Sequence, residues 1–86
     1  MHAVVYNVTI NDQPGAQVEL GELVPRVSAA PGFVAGYWVA LSQNKGTAVV
    51  VLDSEASAQA LAAQAGPAGG PVTADSVEVG EVVAHA

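Results

Sequence analysis

The middle of the chain reads Phe33-Val34-Ala35-Gly36-Tyr37-Trp38-Val39-Ala40-Leu41, then Ser42-Gln43-Asn44-Lys45-Gly46, then Thr47-Ala48-Val49-Val50-Val51-Leu52. Two apolar runs rich in β-branched and aromatic residues, joined by turn-forming residues, describe a β-hairpin in which Gly46 is available for a positive φ. Alternation places Phe33, Ala35, Tyr37, Val39 and Leu41 on one face of the first run and Val34, Gly36, Trp38 and Ala40 on the other. Thr47 to Leu52 is almost wholly apolar, the pattern of a central strand covered on both sides.

Each side of this hairpin carries a helix. Before it, Ala16, Leu20, Leu23, Val24 and Val27 form the i, i+4, i+7, i+8, i+11 stripe of a helix lying on a sheet, with Glu22 and Arg26 on the opposite side. Asn11-Asp12-Gln13-Pro14-Gly15 starts it and Pro31-Gly32 follows its end. Pro25 crowds the carbonyl of Gly21, and the freedom of that glycine predicts a bent helix rather than a broken one. After the hairpin, Asp53 or Ser54 caps a second helix with Glu55 in its first turn. Its inward stripe is Ala58, Leu61, Ala62 and Ala65, and Gly66-Pro67 ends it ahead of a loop at Ala68-Gly69-Gly70-Pro71.

Strands complete the two ends. Residues 2 to 10 alternate Val4, Tyr6, Val8 and Ile10 against Ala3, Val5, Asn7 and Thr9, and residues 72 to 84 resume strand character, with Gly80 suited to a bulge. The order βαββαβ contains two interlocking right-handed crossovers, which put both helices on one face of an antiparallel sheet ordered 4-1-3-2. The expected fold is therefore α+β and ferredoxin-like, one domain over residues 1–86. Its other face, carrying residues such as Val5 or Trp38, is left apolar and uncovered, so a homodimer through the sheet face is expected.

Composition points the same way. A chain of 86 residues, 51% hydrophobic and only 12% charged, has more apolar surface than one small core hides. Arg26 and Lys45 are the only cations against eight carboxylates, and the net charge of -6 argues against nucleic acid and anionic membrane as partners. The uncharged stretch Val27 to Asn44 is interrupted by Pro31-Gly32, Ser28 and Gln43, short of the roughly 20 apolar residues a spanning helix needs. With no secretory pattern at the N-terminus, a cytoplasmic location is expected.

The segment Pro31-Gly32-Phe33-Val34-Ala35-Gly36-Tyr37, arriving after the first helix and opening the second strand, resembles the "PGF..GY" segment of dimeric α+β barrel proteins, the superfamily that includes antibiotic-biosynthesis-type monooxygenases. The resemblance extends over nearly the whole chain as element order. It implies a dimeric α+β barrel and a ligand site where a first-strand Asn, a Trp and sometimes a helix-borne His converge, in enzymes that work without a cofactor or degrade haem.

Asn7 matches the first-strand Asn in placement, and its amide could polarise a ligand carbonyl or hold a reactive oxygen species; the alternative is an Asn satisfied inside the dimer interface or near a strand end. Trp38 lies on the second strand, earlier than the family's Trp, and is either a ligand platform or an indole packed over Gly36 and Ala40. Tyr6 and Tyr37 could each lend a phenol as proton donor, or simply pack. These four are the candidate catalytic residues. The second helix has no His and the chain no Cys, so haem has no axial ligand and no cofactor is expected.

His2 and His85, brought together by pairing of the first and last strands with Glu81 nearby, have the chemistry of a divalent-metal site, but solvated terminal histidines account for them too; no metal is assigned. The alanines of the second helix either let it settle onto the sheet or leave a pocket walled by Leu61, Tyr6 and Val8 for a small apolar ligand, neutral or weakly polar because the net charge disfavours anions. Two functions follow. One is a monooxygenase-like or small-apolar-ligand-binding domain, which requires a cavity reached by these side chains. The other is a non-enzymatic structural or interaction homodimer with a solid core.

Overall fold

In a computed structural model, which describes residues 1–63 and 72–84, the chain forms β1 (His2–Ile10), α1 (Gln13–Ser28), β2 (Phe33–Ala40), β3 (Lys45–Leu52), α2 (Glu55–Ala63) and β4 (Val72–Glu81). The strands make one antiparallel sheet in the order β2-β3-β1-β4, the expected order read from its other edge. Two helices on one face of a four-stranded βαββαβ sheet are consistent with a ferredoxin-like fold. Ala65, the Gly66-Pro67 stop, the Ala68-Gly69-Gly70-Pro71 loop and His85 lie outside the described residues.

Side-chain alternation decides which residues meet the helices. Val4, Val50 and Leu52 project from adjacent strands onto that face and are fully buried, where they join Val27 of α1 and Ala58 of α2 in the core. Tyr6, Phe33, Trp38, Leu61, Val77 and Val79 pack around this centre. No helix among the described residues is long and apolar enough to cross a membrane.

The helix ends obey local chemistry. Ser54, rather than Asp53, caps α2: its Oγ accepts a hydrogen bond of 3.2 Å from the Ser57 N–H, and Glu55 adds negative charge at the positive end of the helix dipole. Helix α1 runs unbroken through Pro25. The Pro25 carbonyl accepts from the Ala29 N–H at 3.1 Å and from the Ser28 hydroxyl at 2.9 Å as the helix closes.

Three expectations are corrected. In the hairpin, Gln43 and Asn44 carry the positive φ angles, 60° and 59°, as a two-residue turn closed by Lys45 N–H to Ser42 C=O at 3.2 Å. Gly46 instead lies in β3, where a Cβ would sit 3.1 Å from Val8 Cγ2, so the glycine allows close approach. The β4 irregularity falls not at Gly80 but at Asp75, because Asn7 pairs with Ser76 while Val8 pairs with Ala74. A second bulge, at Val34, turns Phe33 to the same face as Trp38; the indole therefore lies on the helix side, not on the uncovered face with Val5.

The uncovered face is graded along the strands. One row across the sheet, Tyr37, Val49, Val5 and Glu78, is mostly apolar, whereas the rows beyond it bring Thr47, Asn7 and Ser76, then Lys45, Thr9 and Thr73, to the surface. Tyr37 is 62% exposed and Val39 46%.

Candidate functional site

Between α1 and α2, above the centre of the sheet, lies a cleft of about 780 Å³. Its floor is built from Tyr6 and Val8 of β1, Trp38 of β2, and Gly46, Ala48 and Val50 of β3. Small residues on β3 make it deep: Gly46 and Ala48 stand where larger side chains would fill the space. Leu20 and Leu23 form the α1 wall, and Ala56, Ala60 and Leu61 the α2 wall. The alanine-rich second helix thus leaves a pocket, with the Leu61, Tyr6 and Val8 lining that its sequence suggested, although the cleft is open to solvent between the helices rather than enclosed. Its size falls within the roughly 300–1,000 Å³ range of small-molecule sites.

The polar groups of this cleft are few. Tyr6 is partly buried, and burial holds its phenol above its ordinary pKa of 10.0, so it is a neutral O–H, able to donate. Neither the Tyr6 hydroxyl nor the Trp38 indole N–H has a hydrogen-bond partner among the described residues. Ser57 also lines the site but bonds Ser54 Oγ at 3.1 Å, whereas the Thr47 hydroxyl belongs to the opposite face and donates to the Tyr6 carbonyl at 3.1 Å. On the α1 rim stand one carboxylate, Glu19, and one guanidinium, Arg26.

The four candidates are divided by the sheet. Tyr6 and Trp38 meet in the cleft, whereas Asn7 and Tyr37 lie on the opposite face and cannot act on the same small ligand. The Asn7 amide donates to Ser76 Oγ at 3.0 Å across the β1–β4 pair. Beside it the Thr9 hydroxyl donates to Asp75 Oδ2 at 2.7 Å, and Lys45 Nζ donates to Thr9 Oγ1 at 2.7 Å and lies 3.5 Å from the carboxylate. Asp75 is accordingly held below its ordinary pKa, first by the Thr9 hydrogen bond and then by the Lys45 charge.

Arg26 was missed by sequence reasoning, which assigned it to the outer side of α1 with Glu22. It lines the cleft, Glu22 does not, and no ion pair joins them among the described residues. The terminal histidine is likewise placed by the sheet: His2 is cross-strand from Glu81, and its Nε2 lies 3.8 Å from Glu55 Oε2 at the start of α2. Its Nδ1 is buried without a hydrogen-bond partner among the described residues. No group of three or more metal-ligating side chains forms among the described residues.

Gly32 explains why Pro31-Gly32-Phe33 has the residues it has. Its φ of 80° favours glycine, and a Cβ there would collide with the Asp53 carboxylate and stand 2.8 Å from Ser57 Oγ. Gly32 C=O also accepts the Asp53 N–H at 2.9 Å, tying the start of β2 to the end of β3. The segment is thus a geometric joint beneath α2 rather than a set of reacting groups. Comparison of the sequence with protein-family models finds none that matches, and comparison with curated proteins finds no match either.

Proposed function

We propose that the protein is a small-ligand-binding domain of the monooxygenase-like kind, which holds a compact, largely apolar molecule between its helices. The observation that carries this reading is the cleft itself: an apolar floor of about 780 Å³ with two unpartnered donors, Tyr6 O–H and Trp38 N–H, at its polar points. An aromatic ligand would lie against the indole, where offset ring contact adds to burial, and a carbonyl or enolate oxygen would accept from the phenol. Dimerisation through the uncovered face belongs to the same reading, supported by the apolar row of Tyr37, Val49 and Val5. Asn7 and Tyr37 then serve the interface, not the ligand.

The test uses naphthamide, an uncharged aromatic probe, and the indole N–H resonance of Trp38, the only tryptophan. A saturable shift of that resonance is expected, and Ala60→Phe, which adds a ring to the exposed α2 wall, should abolish it. Absence of any saturable shift in the wild type, or an undiminished one in Ala60→Phe, overturns the reading.

A further inference from the structure

Charge in the cleft is unevenly assigned. Of the two cations in the chain, Lys45 is engaged with Thr9 and Asp75 on the far side of the sheet. Arg26 is the other, and it lines the cleft with no ion-pair partner among the described residues. An i, i+4 carboxylate is present for it, Glu22, in an arrangement that commonly pairs on a helix surface. That pair is not made. The remaining carboxylate of the rim, Glu19, is seven residues away along α1, which is about 10 Å of helix rise.

Resting on the ligand-binding reading above, we propose that Arg26 reads an acidic group on the ligand, so that the cleft takes an amphipathic acid: an apolar, ring-sized body carrying one carboxylate or comparable anion. A guanidinium offers paired N–H donors that match a carboxylate, and the largely apolar floor beneath it suits a body with few other polar groups. The chain's net charge of -6 does not prevent this. At physiological salt, charges more than about 8 Å away are largely screened, so at contact distance the guanidinium outweighs the scattered carboxylates. The expectation of a neutral ligand, drawn from overall charge, is thereby replaced by one drawn from local placement.

The experiment compares naphthoate with naphthamide, its uncharged isostere, at neutral pH by the Trp38 indole resonance and by calorimetry. Naphthoate should bind about tenfold tighter, the scale of one charge-assisted hydrogen-bonded contact. Arg26→Gln should erase that preference, bringing naphthoate down to the affinity of naphthamide in the same variant, and Arg26→Lys should restore part of it. Lys45→Gln removes the same charge from the opposite face and should leave the preference intact. Equal binding of the two probes overturns the proposal while the cleft reading stands, as does an equal loss in Lys45→Gln, which would assign the effect to the overall field. Failure of both probes to bind overturns both.

Discussion

The Trp38 indole lies over Gly36, two residues before it on the same face of β2, so closely that a Cβ on Gly36 would stand 2.8 Å from Cη2 and 2.9 Å from Cζ3 of the ring. A fused ring cannot yield like the tip of a flexible chain. Gly36→Val should therefore displace the indole toward the cleft, costing about 1–3 kcal/mol as overpacking does. Urea denaturation reads the loss, and a changed Trp38 emission spectrum in the folded state reads the displacement; an unchanged spectrum at full stability would show that the ring does not rest on the glycine.

Gly32 fails differently. At φ 80°, with the Asp53 carboxylate in the place of a side chain, Gly32→Ala combines backbone strain with a collision. A loss above about 1 kcal/mol is expected, since alanine at positive φ costs more than its entropic gain returns. Gly32→Ala with Asp53→Ala should recover the collision with the carboxylate and leave the Ser57 contact and the strain, a separation that a double-mutant cycle measures.

Tyr6 should ionise above 10.0, because burial penalises its phenolate. Folding raises this pKa, so the associated stability is complete below the unfolded value of 10.0 and is lost as pH climbs from there through the folded value. Tyr37→Phe leaves Tyr6 as the only tyrosine, and tyrosinate absorbance then gives its midpoint directly. A midpoint at or below 10.0 would contradict the upward shift that burial gives the phenol.

Asp75 moves the other way. Its carboxyl is held below 3.8 by the Thr9 hydroxyl and the Lys45 charge, so its contribution is present above that value and disappears as pH falls through the depressed folded value. Carboxyl resonances followed through an acid titration should place the Asp75 midpoint below 3.8, and Thr9→Val should bring it upward by removing the leading cause.

Two copies should associate through the sheet face. Tyr37 is 62% exposed in the single chain, so Tyr37→Glu should fold normally yet sediment as one copy where the wild type sediments as two. Persistence of the wild type as one copy at high micromolar concentration would contradict both the dimer and the resemblance that suggested it.

The element order and strand order were legible because each segment carried its own period, and the faces of β1 were legible because nothing interrupts its alternation between Val4 and Ile10. β2 was not. Strict alternation separates Phe33 from Trp38, five residues on, and only the bulge at Val34 brings both large rings to the covered face. A bulge depends on how two strands meet, and neither strand encodes it alone. The cleft was half legible: the small residues of α2 allowed either a closely settled helix or a pocket, and what decides for depth is Gly46 and Ala48 on another strand. Arg26 was misplaced for a similar reason. A helical wheel names the side opposite the apolar stripe, whereas a long side chain at the border of that stripe reaches over the gap beside its helix.

Both outermost strands are broken in pattern, β2 at Val34 and β4 at Asp75, and the second break carries a carboxylate. Sheet borders with kinked, charged backbones make poor templates for further strands. Growth by edge-on addition, the route to fibrils, is thereby discouraged on either flank. The same irregularities that hide from the sequence pattern thus guard both borders of the sheet against endless edge-to-edge pairing.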